Sequence, residues 1–493
     1  MKETMKYSIL SLLLTAALVT GCKEDFITKE FTNGVAESNF FKDAKDVEQS
    51  LTAVYDVIGQ KGVYREAVFV LGSCPSDDID EKTGDTGDYG FHFKNASDFR
   101  WFPDNPFSRA RWYDAYKGIF RANTFLEKVP PVTMDENLKK QYLAEARFLR
   151  ALYYWNLTIT FGDIPFFTKV LTQPEYADLA RTPQATVYQQ IEADLTAAIP
   201  DLPVAASNPV GRVTKGAALG FLGRVYLYQK KWQQAADASQ QVVALGQYRL
   251  VPSYISIFNG QAENSSESLM DFQSVGFAPG YFTDASENSI AAMWSPTIGW
   301  ANWYTPSEES KKLFAPGDIR RKSVLIAGAT PADSIDVDGT GPKPFPSLPM
   351  RTQYFNNANV RKFLPEGKIM AQVDNFDVNY PIIRYAEVLL NQAEALNELG
   401  RSADALKPLN EVRARARLAP VTQTAQASLR TIIQNERRVE LVYEGHRFYD
   451  LARWGQLEEK LSKKGFVKGQ HEFWPVPTAE LDLMKNLTQY PPR

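Results

Sequence analysis

The sequence has few of the residues from which metal sites and disulfide frameworks are built. Its 493 residues include only 2 Cys and 3 His, which excludes a zinc site made of cysteine clusters and a framework of several disulfides. The formal net charge is −3, so no strong basic field attracts phosphate backbones, and we expect no nucleic-acid partner. A composition of 44% hydrophobic and 23% charged residues is ordinary for a globular protein and excludes wholesale disorder.

The N-terminal residues have the pattern of a secretory signal. Lys2 and Lys6 supply a positive start, and residues 9–19 form an apolar run that is too short to span a bilayer. The run ends in Val-Thr-Gly-Cys, which looks like a bacterial lipobox whose cysteine is Cys22. We therefore expect a signal peptide over 1–21 and lipid anchoring through acylated Cys22. The alternative is a plain secretory signal with an incidental cysteine.

Four stretches of the chain carry the apolar spacing of paired helices. Small residues such as Gly223 and Ala235 fall where two helices approach closely, as in tetratricopeptide repeats. We predict a mainly α-helical protein in which four tetratricopeptide-like helix pairs form a scaffold over about 137–247 and 379–456. The expected pairs are 138–161 with 186–199, 215–229 with 232–245, 389–396 with 405–412, and a fourth unit that starts near Ala427 and is interrupted at Gly445.

Two long segments lack this helical period. Residues 62–110 and 250–378 are rich in Gly, Pro, Asn, Ser and aromatic residues. We predict that both are large irregular, loop-rich excursions from a single body over 22–493. Loops carried by a rigid scaffold commonly form binding surfaces, so we expect the excursions to build the ligand face.

The aromatic residues of the excursions are candidates for binding sugar. An aromatic plane buries the apolar face of a sugar ring, while Asn, Asp and Arg side chains bond the hydroxyls. No helical period runs through these residues, so a helical core does not explain them. A second choice of site is the region around Tyr89, Phe91 and Trp101. The predicted ligand-binding residues are Trp294, Trp300, Trp303, Tyr304, Asp78 and Trp101.

An acidic stretch over 73–90 contains Asp78 and offers oxygen ligands that suit calcium. The EF-hand arrangement with its closing Glu is absent, and a solvated loop is the alternative. Asp77 and Asp78 could instead bond sugar hydroxyls. We expect no cofactor and leave a structural calcium ion open.

The Arg- and Glu-rich segment 436–453 is a candidate catalytic cluster with a structural alternative. Glu436, Glu440 and Glu444 follow one another at i,i+4 with Arg437 between them, a spacing that favours ion pairs. No GxSxG or HExxH motif is present. We therefore expect a protein that is not an enzyme. Paired carboxylates for glycoside hydrolysis stay open, because any acidic protein supplies candidates.

The chain resembles the SusD/RagB-like surface lipoproteins of Bacteroidetes. The resemblance covers nearly the whole mature chain and is looser in the excursions. The most specific segment spans 436–455 and begins with Glu-Arg-Arg-Val-Glu-Leu. The other matching segments are 145–151, Gly-Asp-Ile-Pro at 162–165, Arg-Val-Thr-Lys-Gly-Ala at 212–217, 384–395 and Trp-Pro-Val-Pro at 474–477.

The resemblance implies a helical fold with four tetratricopeptide-like units and a place on the outer leaflet of the outer membrane. It also implies a binding protein, without enzyme activity, that captures an oligosaccharide and hands it to a TonB-dependent transporter of the SusC type. Three alternatives stay open. They are a peptide-binding member of the same family, a lipid-anchored glycoside hydrolase, and a scaffold that binds only protein.

Overall fold

The computed structural model describes residues 41–81, 88–204, 210–274, 304–326, 359–363 and 378–489. The predicted signal peptide and Cys22 lie outside these ranges, as do Trp294, Trp300 and Trp303. Within the described residues, no helix is long and apolar enough to cross a membrane.

Helices make up most of the described chain, which confirms the mainly α-helical prediction. They are α1 (Ala44–Asp56), α2 (Glu66–Gly72), α3 (Asp88–Ser97), α4 (Pro106–Lys128), α5 (Glu136–Phe161), α6 (Gln173–Ala177), α7 (Gln184–Ala198), α8 (Lys215–Tyr228), α9 (Trp232–Ala244), α10 (Glu308–Lys311), α11 (Arg320–Val324), α12 (Tyr385–Glu398), α13 (Ser402–Arg415), α14 (Gln426–Glu440), α15 (Arg447–Trp454), α16 (Leu457–Leu461) and α17 (Thr478–Leu483).

The predicted helix pairs form, with ends within a few residues of those expected. Helix α5 packs on α7, α8 on α9, and α12 on α13. Helix α5 ends at Gly162, whose φ of 70° favours glycine. A Cβ on Gly223 would lie 3.2 Å from Ser239 Oγ, so α8 and α9 do approach closely there. The tetratricopeptide-like geometry of the pairs stays a prediction.

The first excursion, 62–110, is more regular than predicted. It contains α2, α3 and the start of α4, and it buries Val63, Phe69 and Val70 in the core. All but one of the residues of α2 are buried. A short helix that is covered on nearly every side has no polar face, so its sequence lacks the 3.6-residue alternation that reveals an amphipathic helix.

Short antiparallel strand pairs connect the excursions to the rest of the molecule. In the β1–β3 pair, Glu81 lies opposite Tyr304, so the middle of the second excursion pairs with the first. The strands are β1 (Ile79–Glu81), β2 (Ser268–Phe272), β3 (Tyr304–Pro306), β4 (Leu325–Ile326), β5 (Asn359–Val360) and β6 (Tyr380–Arg384), paired β1–β3, β2–β6 and β4–β5.

The Glu- and Arg-rich segment forms buried ion pairs, as the structural interpretation predicted. Arg384 of β6 donates from Nη1 to Glu440 Oε1 at 2.5 Å and from Nε to Glu444 Oε2 at 2.8 Å. Arg320 of α11 donates to Glu440 Oε2 at 2.8 Å. Burial opposes ionisation of Glu440, but Arg415, Arg384 and Arg320 together hold its pKa well below the usual range. The partners of Glu440 therefore come from other elements rather than from its own helix.

Candidate functional site

Trp101, a predicted ligand residue, belongs to the core. Its ring stacks on Trp474 at a centroid distance of 4.0 Å and an interplanar angle of 10°. Its indole N–H donates to the backbone oxygen of Ala96 at 3.0 Å. Trp101 is 6% exposed and Trp474 is fully buried. One ring face and the polar atom of Trp101 are thus already engaged, which assigns this residue to packing and corrects the predicted ligand role.

Tyr304 is also a core residue, contrary to its predicted role. It is 1% exposed and packs edge-to-face against Phe69 at 5.6 Å and Phe93 at 5.5 Å. Burial raises the pKa of its hydroxyl well above the usual value, with the neighbouring Cys74 adding to the rise. A sugar ring has no access to this side chain, so the correction has the same cause as for Trp101.

Asp78 is buried in an ion pair rather than presented to a ligand. Arg438 Nε donates to Asp78 Oδ1 at 2.7 Å, and the neighbouring Asp77 accepts two bonds from Arg447 at 2.7 and 2.8 Å. These pairs fix the acidic stretch to α14 and α15. In the part of the chain that the structure describes, no group of three His, Cys, Asp or Glu side chains is placed to hold a metal ion.

A partly exposed aromatic cluster, which we call the aromatic edge, lies beside these buried residues. It consists of Phe91, His92 and Phe102, with ring centroids 5.4 to 6.1 Å apart. Phe91 is 53% exposed, whereas Phe93 on the same helix is 1% exposed. Residues two positions apart in a helix point to nearly opposite sides, so α3 buries one phenylalanine and presents the other to solvent.

Polar side chains follow the aromatic edge along the chain. Asp104 lies two residues after Phe102 and is exposed, and Thr478 donates to its Oδ2 at 2.9 Å. Arg109 and Tyr113 are exposed on the first turns of α4. Partial burial and the neighbouring carboxylate of Glu480 raise the pKa of the Tyr113 hydroxyl. An aromatic surface with hydroxyl-bonding groups nearby suits the two faces of a sugar ring.

The strand pair β1–β3 sets the position of the aromatic edge relative to the second excursion. Tyr304 begins β3 and contacts Phe93 of α3, the helix that carries Phe91. Trp303 directly precedes Tyr304 in the sequence. The described part of the second excursion that begins at Tyr304 therefore contacts the helix that carries Phe91.

Comparison with known proteins places this architecture in one class, helical-scaffold proteins of SusD type. The model of the SusD family matches residues 350–471, and a model described as starch-binding associating with outer membrane matches residues 33–227. A solved laminarin-binding SusD-like protein is 32% identical, with a TM-score of 0.77, over 92% of this chain and all of that one. The chain belongs to the SusD/RagB family of Bacteroidetes.

Curated relatives match over a similar extent. A SusD-like protein of Formosa agariphila is 27% identical over 93% of this chain and 94% of its own length. The starch-binding protein SusD of Bacteroides thetaiotaomicron is 23% identical over 87% of this chain and 86% of its own.

Proposed function

We propose that the protein is a cell-surface glycan-binding lipoprotein that captures an oligosaccharide and delivers it to a TonB-dependent transporter of the SusC type. The observation that carries this proposal is the aromatic edge, a ring cluster with the exposed Phe91, which is followed closely in the sequence by exposed side chains that can bond hydroxyls. The names of two relatives, which describe laminarin and starch binding, support a glycan as the ligand.

Phe91 is the ring of the edge that is most available to a ligand, and Trp294, Trp300 and Trp303 stay our proposed partners for it. A stack that removes ~50–100 Å² from water contributes roughly 1–2.5 kcal/mol. Two or three such stacks, after the costs of association, correspond to affinities of roughly micromolar to millimolar. Such affinities suit a protein that must release its cargo to a transporter.

The paired state of the carboxylates in the Arg- and Glu-rich segment supports binding without turnover. Glu440 and Glu444 are held by Arg384, and Asp77 is held by Arg447. A glycoside hydrolase needs one carboxyl group that holds a proton near neutral pH beside an ionised one. The guanidinium groups around Glu440 and Glu444 keep the pKa of both below the usual value, so neither serves as that acid.

Calorimetry with laminarin oligosaccharides, starch oligosaccharides and a peptide library tests the ligand class, with chromatography of the same samples afterwards. We expect binding to at least one glycan and unchanged ligand after prolonged incubation. Shortened glycan products would instead indicate the hydrolase. Binding only to peptides would indicate the peptide-binding alternative.

The proposed location depends on lipid at Cys22. The Cys22→Ala variant should lack labelled acyl chains and leave the outer membrane fraction. Pulldown of the wild-type protein in mild detergent should recover a transporter, because a stable complex of this kind buries well above ~2,000 Å². Acylation of the variant, or recovery of the protein alone in several detergents, would contradict this part of the proposal.

A further inference from the structure

A pair of adjacent clefts shares no lining residue with the aromatic edge. One lobe, of about 290 Å³, is bounded by the loops around Tyr248 and Asn264. The other, of about 360 Å³, is bounded by the end of α1 around Thr52. Arg212 and Asp271 line both lobes, so the two cavities are adjacent, and we call the pair the double cleft. Each lobe has about the smallest volume typical of small-ligand sites, ~300–1,000 Å³.

Arg212 is held in a fixed position on the wall of the double cleft. Its guanidinium lies over the rings of Tyr55 at 5.3 Å and Tyr142 at 4.8 Å. Its Nε donates to the buried Glu145 at 2.6 Å, and Tyr55 donates to the same carboxylate at 2.6 Å. A group that is positioned before a ligand arrives loses little entropy on binding it.

Asp271 places a carboxylate on the wall of the double cleft. It is 7% exposed, and within the described ranges its carboxylate accepts bonds from the Ser268 hydroxyl and the Asn264 backbone but forms no ion pair. Burial raises its pKa to about 6. A buried carboxylate at a cleft wall gains from donors that a ligand brings, since each hydrogen bond offsets part of the desolvation cost.

The remaining lining of the double cleft is rich in hydroxyl and amide groups. Asn264 and Gln273 exchange amide hydrogen bonds of 3.0 and 2.8 Å, which fixes the orientation of both. The charged residues of the described walls are Arg212, Asp56 and Asp271, an excess of one carboxylate that disfavours phosphate and other anions. The hydroxyl and amide side chains of the walls are Thr52, Thr214, Gln247, Asn264, Ser265, Ser266, Ser268 and Gln273.

We propose that the double cleft is a second saccharide-binding site, which takes neighbouring units of a neutral glycan on either side of Arg212 and Asp271. Ligand hydroxyls donate to Asp271 and accept from Arg212 and the amides. The partly buried rings of Tyr55 and Tyr248 add apolar surface. The choice of a glycan as ligand rests on the proposed function, but the residues that line the double cleft are separate from those of the aromatic edge.

Variants of the two sites separate the two proposals. Thr52→Trp places a large side chain at the mouth of one lobe, and Gln49→Trp on the same exposed side of α1 is its control because Gln49 does not line the cleft. Asp271→Asn keeps the shape of the side chain and removes its charge. Thermal melts establish that each variant is folded before binding is measured.

The measurement is calorimetry with laminarin and starch oligosaccharides on Phe91→Ala, in which binding at the aromatic edge is weakened. We expect residual binding that Thr52→Trp abolishes, that Asp271→Asn weakens about tenfold, and that Gln49→Trp leaves unchanged. Absence of residual binding, or residual binding that Thr52→Trp and Asp271→Asn both leave intact, would overturn the second site. If Phe91→Ala binds as the wild type does and Thr52→Trp removes all binding, the result contradicts glycan binding at the aromatic edge and supports binding in the double cleft.

Discussion

Two sets of aromatic residues in the first excursion have opposite environments: one is covered by protein and the other borders solvent. Trp101 is covered by Trp474, which comes from the other end of the chain, whereas its half-buried neighbour Phe102 packs against the exposed Phe91. Both groups are dense in rings, so aromatic content does not distinguish a binding surface from a core. What distinguishes them is whether a distant segment of the chain covers the rings. The predictions below test this division between covered scaffold and exposed edge, beginning with the largest expected effect.

Removal of Glu440 should affect the scaffold most. The Glu440→Ala variant leaves Arg384, Arg320 and Arg415 buried with an uncompensated charge, and such losses cost ~3–5 kcal/mol. Denaturant unfolding should show this decrease in the free energy of unfolding. The control is Glu459→Ala, which removes an exposed pair with Lys460 and should change stability by less than ~1 kcal/mol. Equal effects of the two variants would contradict the structural role of the buried pairs.

Trp101 and Phe102 allow the comparison to be made at adjacent residues. Trp101→Ala removes a covered ring, so we expect a loss of ~3–5 kcal/mol in stability and unchanged glycan affinity of the folded molecules. Phe102→Ala removes a ring of the aromatic edge and should weaken glycan binding. A Trp101→Ala protein that melts like the wild type but no longer binds glycan would restore the ligand role that the structure argues against.

Protonation of His446 should lower the free energy of unfolding as the pH falls. Burial lowers the pKa of His446 to about 4, although Glu387 acts in the opposite direction. Between pH 6.5 and 4 the unfolded chain binds a proton that the folded protein excludes, so stability falls as the pH falls through this window, by up to ~3 kcal/mol. Below about pH 4 both states bind the proton, so the loss of stability stops growing and stays at its full value.

The difference between wild type and His446→Gln isolates this effect. Asp271, whose pKa is raised to about 6, contributes with the opposite sign as the pH falls from 6, and it is present in both proteins. Denaturant unfolding of the two proteins at several pH values should show the wild type losing stability relative to the variant below pH 6.5. Parallel curves would mean that His446 titrates normally in the fold.

The sequence allowed prediction of the long helices but not of what covers each ring or charge. Helices α5, α8 and α12 were predictable because their apolar residues recur at helical spacing over several turns. The partners of Glu440, Asp78 and Trp101 were not, because Arg384, Arg438 and Trp474 are remote in sequence. The structural role of the 436–453 segment could be inferred from its spacing, whereas the identity of its partners could not.

Sequence alone also did not show which aromatic residues of α3 are exposed. Phe91 and Phe93 look equivalent in the sequence, and only the contact of Phe93 with Tyr304 and Phe107 decides which of the two is buried. Their two-residue offset could have shown that they point to opposite sides, had this segment been predicted as a helix. It was missed because the first excursion was predicted to be irregular.

The most direct test of the account is a comparison of Phe91→Ala with Phe93→Ala, each measured by calorimetry against the bound glycan and by denaturant unfolding. We expect Phe91→Ala to lower affinity by roughly 1–2.5 kcal/mol, about 5- to 70-fold, and to change stability by less than ~0.5 kcal/mol. Phe93→Ala should lose ~3–5 kcal/mol of stability and keep the affinity of its folded fraction. Wild-type affinity in Phe91→Ala, with Phe93→Ala destabilised as expected, would contradict the central claim that the exposed ring of α3 binds the glycan.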